Sequence, residues 1–484
     1  MNKFKHDPYV LSLGMSFVNV GSGLWVLIAT VLSMPVSTTH AVVGAVMGIG
    51  MAAWGPEGIV WDYNKGGFLS VLASWFISPV ASGALAGIFY MATKFSVLKL
   101  ADEEAVRRGL LLMPLYFFFV FGTIWGFMFM KGIPLFKTTP YATTVPLTIG
   151  LAVFHALYGF FVTVPWIKRT VVDAESLPWY TALYTPLVTV GSYGYAHTNS
   201  DVNNLKSIKD SQGIVSVSSD SVLAEGANFG NDEKEMTGVD KLGKMIAPGF
   251  YMNIGSKREE DSAMHAAAFS SDEKTEEMFK FLQLTSCCFF SLSHGANDVA
   301  NAVGPFSAVW SIYETGKVAK KSEVPLWVLV YGGLALDFGL LTMGHHIMAA
   351  LGNRLTLQTP SRGFCIELGA MFTVMVASRI GVPVSTTHCI TGATVGVGLC
   401  NGNVKSVNWA MFAVIFGGWI ITCPCAGLMA GLPFWAVAGA PHPVPQNGFF
   451  GQVCYERQCL YITVSMMCVI GDYELVLAEF FYNP

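Results

Sequence analysis

Charged residues are scarce in this chain. Only 12% of its 484 residues are Asp, Glu, Lys or Arg, whereas a soluble domain carries about 25%. Hydrophobic residues make up 53%, and the mean hydropathy is +0.50. Several apolar runs reach the roughly 20 residues that a membrane-spanning helix needs. The composition excludes an ordinary soluble domain and predicts an all-α, polytopic membrane protein.

The sequence also lacks the features of several other classes of protein. The formal net charge is −4, so no basic surface for a nucleic acid is expected. The ten cysteines show no metal-binding spacing, and those in apolar runs are interpreted as reduced, buried thiols. The sequence contains no phosphate loop of the Gly-x4-Gly-Lys type and no nucleophile–base set. We therefore expect neither an enzyme nor a cofactor.

Five apolar runs are predicted to span the membrane: 67–91, 110–130, 141–165, 325–350 and 408–436. Two further runs, 19–34 and 364–382, are marginal. Sixteen residues reach only about 24 Å, less than the roughly 30 Å hydrocarbon core. Each marginal run is interpreted as half of a hairpin or broken helix that stops at a proline.

A six-residue motif occurs twice, 348 residues apart. Residues 35–40 and 383–388 both read Pro-Val-Ser-Thr-Thr-His. The surrounding residues 19–50 and 367–398 share 13 identities in 32 pairs, several of them glycines. Two distant copies of a proline-broken apolar segment are typical of membrane transporters whose site lies at the interface of the repeats. We expect broken helices or re-entrant hairpins there.

One long segment differs from the rest. Residues 195–278 are rich in Ser, Asp, Lys, Glu and Asn, a composition that cannot bury a core. The chain is therefore divided into a first transmembrane half (1–194), a largely disordered loop (195–278), a second transmembrane half (279–437) and a tail of unknown role (438–484). Six basic residues flank the connections on the side of the membrane that carries the loop, and three lie on the opposite side. Because basic residues are enriched on the cytoplasmic side, the loop is predicted to be cytoplasmic. An amphipathic helix is expected near 271–283.

A polar motif interrupts the apolar run 281–312. Residues 295–302 read Gly-Ala-Asn-Asp-Val-Ala-Asn-Ala. On a helix Asp298 and Asn301, at i and i+3, converge, and Asn297 and Asn301, at i and i+4, share a face. A carboxylate at membrane depth needs a partner or a cavity, so this face suits a small cation beside a hydrogen-bonding substrate. Helix capping is the alternative, and on this motif alone it is equally good.

The hydroxyls of the repeated hexapeptide lie where a new helix is expected to begin. Free N–H groups and the positive dipole end of that helix attract anions. Two such termini, one from each half, could hold a tetrahedral oxyanion between them. Capping by Ser or Thr explains one copy. It does not explain why the whole hexapeptide is the same in both.

Glu367 lies in the apolar run before the second hexapeptide, and Asn19 is its equivalent in the first half. An acid in one half and an amide in the other suggest two unequal cation sites, with Asn19 as a neutral oxygen ligand. The alternative for Glu367 is a position at the membrane edge, because it follows the polar stretch 359–363.

The residues 295–305, the stretch 359–367 and the two hexapeptides resemble the inorganic phosphate transporter family, the solute carrier 20 class. The resemblance covers about residues 10–170 and 278–437. It implies an inverted-repeat symporter of phosphate, coupled to sodium or to protons, with a large cytoplasmic loop. We expect a multi-pass protein of the plasma membrane in contact with the lipid bilayer, and a homodimer is left open. The resemblance implies phosphate binding by Ser37, Thr38, Thr39, Asn297, Ser385, Thr386 and Thr387, and sodium binding by Asp298, Asn301 and Glu367.

The chain departs from this family in one respect. The family carries the Gly-Ala-Asn-Asp motif in both halves, but here it precedes only the second hexapeptide, by 88 residues. We therefore expect a repeat that is incomplete at its N-terminal side, and a chain that does not concentrate phosphate alone. Three functions remain open: a sodium-coupled phosphate symporter, a proton-coupled permease of phosphate or sulfate, and a truncated, non-transporting relative that acts as a partner or phosphate sensor.

Overall fold

Helices make up nearly all the regular structure. A computed structural model describes residues 4, 7–63, 67–129, 139–173, 262–319, 324–352, 354–380 and 384–438. The long helices are α1 (Pro8–Val31), α2 (Thr38–Trp54), α3 (Phe68–Thr93), α4 (Asp102–Phe127) and α5 (Tyr141–Tyr158). After the short α6 (Val164–Ile167) and α7 (Ser262–Ala266) come α8 (Glu273–Thr315), α9 (Leu326–Leu351), α10 (Pro360–Ile380), α11 (Thr386–Leu399) and α12 (Trp409–Ala438). Most of the predicted loop and all but the first residue of the predicted tail lie outside the described residues.

Six helices in the described part of the chain are long and apolar enough to cross a membrane. They are Pro8–Val31, Phe68–Leu98, Asp102–Phe127, Tyr141–Val172, Leu326–Leu351 and Trp409–Ala438. Five of them correspond to the predicted runs, with bounds that differ by a few residues. The prediction that 19–34 is too short is wrong, because α1 begins at Pro8, where the missing N–H of proline costs nothing. Its 24 residues reach about 36 Å.

Two short helices begin inside the hexapeptides, as expected for broken helices. Helix α1 ends at Val31, and α2 begins at Thr38 after a turn in which Ser33 has a φ of 55°. Helix α11 begins at Thr386. The 17 residues of α2 and the 14 of α11 reach about 26 and 21 Å, less than the hydrocarbon core. Neither helix is therefore long enough to span the membrane alone.

The two halves pack on each other reciprocally. Helix α2 lies against α12, and α11 lies against α3. A Cβ atom on Gly48 would come 2.0 Å from the carbonyl oxygen of Gly427, and one on Gly396 would come 2.3 Å from that of Gly83. Gly396 is 348 residues after Gly48, and Gly427 is 344 after Gly83, so one contact maps onto the other. This exchange is the signature of a two-fold axis between the repeats. Glycine permits such close approach of helices.

The C-terminal end of the predicted loop 195–278 is attached to the second half of the protein. The carboxylate of Glu276, in the first turn of α8, accepts hydrogen bonds from the backbone N–H and the hydroxyl of Ser361, both at 2.9 Å. The buried guanidinium of Arg362 donates to Asn401 Oδ1 at 3.0 Å and to the carbonyl oxygen of Phe269. Helix α7 and the first turns of α8 lie within the predicted loop 195–278. The helix expected near 271–283 is present as the first turns of α8.

Helix α8 carries the polar motif. It has 43 residues and is about 65 Å long, roughly twice the thickness of the hydrocarbon core. The expected amphipathic helix and the apolar run 281–312 are thus one element. Helix α8 contacts α1, α2 and α10. It can therefore present side chains to both repeats.

Candidate substrate and cation site

The first turns of α2 and α11 have nearly the same geometry. Ser37 precedes α2 with φ −85° and ψ 123°, and Ser385 precedes α11 with φ −93° and ψ 123°. The Ser37 Oγ accepts a hydrogen bond from the amide of His40, and the Ser385 Oγ accepts one from the amide of His388, both at 3.3 Å. Both serines are helix caps, but each hydroxyl keeps a hydrogen to donate.

Asp298 joins the two repeats. Its Oδ1 accepts a hydrogen bond from Thr39 of α2 at 3.3 Å, and its Oδ2 accepts one from Thr386 of α11 at 2.7 Å. The hydroxyl turns of both halves therefore meet at one carboxylate on α8. This arrangement cannot be explained by helix capping, because Asp298 lies far inside α8.

Asn301 lies one turn after Asp298 and completes the cluster. Its Nδ2 donates to Thr39 Oγ1 at 2.9 Å, to Thr38 Oγ1 at 3.3 Å and to Asp298 Oδ1 at 3.2 Å. The structure thus brings Asp298 and Asn301 together as their i, i+3 spacing predicts. The carboxylate and hydroxyl oxygens gathered here are hard ligands of the kind that a small cation prefers.

His294 belongs to the same cluster, although the sequence did not lead us to predict it as a site residue. Its Nε2 lies 2.8 Å from Asp298 Oδ2 and 2.6 Å from Thr386 Oγ1, and the residue is 2% exposed. The signal was present: His294 precedes Asp298 by four residues, so both face the same side of a helix. The imidazole places a group that can carry a proton beside the carboxylate.

Glu367 forms a separate centre. It is fully buried in α10, and Ser286 of α8 donates a hydrogen bond to its Oε2. Its Oε1 has no hydrogen-bond partner among the described residues. Ser286 precedes Asp298 by twelve residues, about 18 Å along α8. The structure therefore does not bring Glu367 into the cluster around Asp298.

Asn19 occupies the equivalent position on α1. It is fully buried, and within the described chain neither its Oδ1 nor its Nδ2 has a hydrogen-bond partner. Buried polar atoms without partners are uncommon in native proteins. Asn19 and Glu367 thus both offer an unused oxygen, although the structure does not join Asn19 to Asp298.

Thr387 and Asn297 are the remaining predicted site residues. Thr387 is buried at the start of α11 and is the repeat equivalent of Thr39. Asn297 lies in α8, but its side chain is outside the described part of the structure. Among the described residues, no three His, Cys, Asp or Glu side chains are grouped closely enough to hold a metal ion.

Known proteins resemble this chain over most of its length. Residues 1–430 match the phosphate transporter family. The chain is 32% identical to the phosphate-repressible phosphate permease pho-4 of Neurospora crassa, over 90% of this chain and 86% of that protein. It is 26% identical to sodium-dependent phosphate transporter 2 of Homo sapiens, over 89% of this chain and 86% of that protein. A solved structure, "The sodium-dependent phosphate transporter", shares the fold with a TM-score of 0.60 at 23% identity, over 90% of this chain and 81% of that one.

The family match spans most of the chain, and the fold is an inverted-repeat membrane architecture with polar side chains gathered between the repeats. The proteins it resembles are transporters and not enzymes. This chain is therefore a multi-pass membrane protein that belongs to the phosphate transporter family.

Proposed function

We propose that this protein is a sodium-coupled symporter of inorganic phosphate. The observation that carries the proposal is the meeting of Thr39 and Thr386, one from each repeat, at the single carboxylate of Asp298. A site shared by two repeats can be exposed to either side of the membrane when the repeats move against each other. The names of its sodium-dependent relatives support sodium as the coupling ion.

In this proposal phosphate lies between the first turns of α2 and α11. The positive ends of two helix dipoles point toward it, and the hydroxyls of the two hexapeptides donate hydrogen bonds to its oxygens. Ser37, Thr38, Thr39, Ser385, Thr386 and Thr387 supply these donors, and Asn297 is assigned to phosphate with them. Of these six hydroxyl residues Thr39 is half-buried and the other five are buried, so most of these hydrogen bonds would be made away from bulk water.

The same geometry gives a reason for coupling. A phosphate anion beside the carboxylate of Asp298 is repelled, and little water is present to screen the repulsion. A sodium ion held by Asp298, with Asn301 and neighbouring hydroxyl oxygens, would reverse the sign of this interaction. Phosphate and sodium would then favour each other's binding, which is the thermodynamic requirement for symport.

We assign Glu367 and Asn19 to further cation binding, separate from the Asp298 cluster. Each has a buried oxygen without a partner within the described residues. Their equivalence in the two repeats would give two sites of different charge, one with a carboxylate and one with an amide. The carboxylate site is expected to bind sodium more strongly.

The test is uptake of radiolabelled phosphate by cells or proteoliposomes that contain the full chain. The missing first Gly-Ala-Asn-Asp motif predicted a chain that does not concentrate phosphate alone, but Asp298 already contacts both repeats. We therefore expect uptake that requires sodium, stops when choline replaces it, and is not inhibited by excess sulfate. Uptake driven by a pH gradient without sodium would favour the proton-coupled permease. Stable membrane insertion without any uptake would instead support the non-transporting relative.

The contact between His294 and Asp298 favours proton coupling as the second candidate, because it pairs a carboxylate with a group that can carry a proton. His294→Gln keeps a side-chain amide as donor but removes the ability to carry a proton. With sodium coupling, this variant should retain sodium-dependent uptake. Under proton coupling it should lose the response of uptake to pH.

A further inference from the structure

Two tryptophan–histidine pairs occupy equivalent places in the repeats. His40 and His388 end the two hexapeptides, and Trp75 on α3 and Trp419 on α12 are separated by the same 344 residues as Gly83 and Gly427. The two imidazole rings lie edge to face with centroids 4.6 Å apart. The pairs therefore meet at the axis between the repeats, one residue after the last threonine of each hexapeptide.

The two pairs make different contacts. The Trp75 Nε1–H donates a hydrogen bond to His40 Nε2 at 3.1 Å. Trp419 instead stacks on His388, with ring centroids 3.8 Å apart and an interplanar angle of 26°. Trp419 is 1% exposed, and its Nε1–H has no hydrogen-bond partner in the described part of the chain. One hydrogen bond is made, and its symmetry-related counterpart is not.

A two-fold axis that inverts one repeat onto the other also exchanges the two sides of the membrane. A structure in which the two halves swap their contacts is therefore open to the opposite side. A buried N–H without a partner is rare in a native protein. The alternate state supplies the missing partner if Trp419 there donates to His388.

We propose that Trp75 and Trp419 are positioning residues of the transport cycle that alternate in donating a hydrogen bond to the histidine of their own repeat. In the present state Trp75 donates a hydrogen bond to His40. In the state open to the other side of the membrane, Trp419 donates to His388 while Trp75 stacks on His40. The inference rests on the proposed transport function, since only a transporter needs both states. It adds residues outside the phosphate and cation site.

The histidines connect this exchange to the substrate site. Each histidine amide donates to the capping serine of its own hexapeptide, so a movement of the ring is passed to the turn that carries the threonines. The threonines are asymmetric too. Thr386 donates to Asp298 at 2.7 Å, whereas its repeat equivalent Thr38 is contacted by Asn301 at 3.3 Å.

The first test is Trp419→Phe, which keeps an aromatic ring but removes the N–H. In the present state this N–H makes no hydrogen bond with described residues, so phosphate binding at equilibrium should stay within about two-fold of the unchanged protein. The opposite state loses one hydrogen bond, so uptake at matched membrane abundance should fall about 3- to 10-fold. The matched control is Trp125→Phe on α4, where the indole N–H is also buried without a partner among described residues but the ring lies beside Phe129 and His155 instead of a hexapeptide histidine. Its uptake should be unchanged.

The second test measures the two states directly, by hydrogen exchange of the first turns of α2 and α11. Trp75→Phe should make α2 exchange faster and α11 slower, and Trp419→Phe should shift both in the opposite direction. The double variant weakens both states equally and should return exchange toward that of the unchanged protein, which simple structural damage would not do.

Two results would overturn the proposal. One is uptake by Trp419→Phe equal to that of Trp125→Phe, and the other is a shift of exchange in the same direction in both single variants. Failure of the unchanged chain to take up phosphate would contradict the transport proposal instead. The hydrogen-exchange comparison does not depend on uptake and would still decide whether the two pairs alternate.

Discussion

Asp298 receives hydrogen bonds from both repeats, so its charge can be tested apart from its shape. Asp298→Asn is nearly isosteric and keeps one oxygen acceptor, but it removes the negative charge proposed to hold the coupling cation. Because charge-assisted interactions of about 1.5–3 kcal/mol each would be lost, we expect phosphate uptake to fall at least about 100-fold at unchanged membrane abundance. Asp337→Asn, at an exposed position of α9, is the matched control and should transport normally. Near-normal uptake by Asp298→Asn would contradict the assignment.

Thr386 tests the hydroxyl donors. Thr386→Val keeps the branched shape and removes the hydroxyl. If this hydroxyl contacts phosphate, the apparent affinity should weaken by about 1.5–3 kcal/mol, or roughly 10- to 150-fold. The control is Thr394→Val on the same helix, because that hydroxyl donates to the carbonyl oxygen of Ile390 within its own helix. Equal half-saturation concentrations of phosphate for the two variants would leave Thr386 with a structural role.

The site residues show which contacts could be predicted from the sequence and which could not. The convergence of Asp298 and Asn301 was predictable, since both lie on one helix at a spacing of known geometry. The separation of Glu367 from Asp298 was not, because spacing between different helices says nothing about distance in space. His294 had the correct spacing from Asp298 and was overlooked because it lies outside the Gly-Ala-Asn-Asp motif.

The contact of α2 with α12 depends on glycine. Gly48→Ala would place a Cβ 2.0 Å from a backbone oxygen, which cannot rotate away. We expect the variant to lose about 3 kcal/mol or more of stability, at the upper end of overpacking effects. The measurement is the thermal unfolding temperature of the purified protein in detergent.

Gly333→Ala on α9 provides the comparison for this prediction. No atom lies within 4 Å of its added Cβ, and alanine favours a helix by about 1 kcal/mol over glycine. The control should therefore unfold at the same temperature or higher. An unfolding temperature for Gly48→Ala equal to that of Gly333→Ala would show that the helices can separate without loss.

Among the elements, the long apolar runs were the easiest to predict, because length and hydropathy alone define a spanning helix. The start of α1 was missed because the apolar residues between Pro8 and Asn19 were not counted with the run. The continuity of α8 was missed because its first turns are charged and its later turns apolar. The duplicated glycines were visible as identities, but their contacts with Gly83 and Gly427 required the structure.

At the scale of the whole molecule, the predicted loop 195–278 should be dispensable for transport, except for its C-terminal end, which is attached to the rest of the protein. A chain without residues 200–255 should retain phosphate uptake within about two-fold, because closing a shorter connection changes the free energy little. A deletion that extends through Glu276 removes the contacts with Ser361 and Arg362 and should lower the yield of folded protein. The two deletions are compared by uptake at matched abundance and by size-exclusion profile. Loss of uptake in the shorter deletion would show that the segment takes part in transport.

The reciprocal packing of α2 on α12 and of α11 on α3 has a consequence for the ancestry of this architecture. Each half presents a short helix whose partner surface belongs to the other half, so one repeat alone leaves that face uncovered. Before duplication and fusion, a single-repeat ancestor could bury the face only by pairing with a second copy inserted upside down in the same membrane. Such a protein must have inserted in both orientations, with few basic residues to bias it. The asymmetry of charge along the present chain would then have arisen after the two copies were joined.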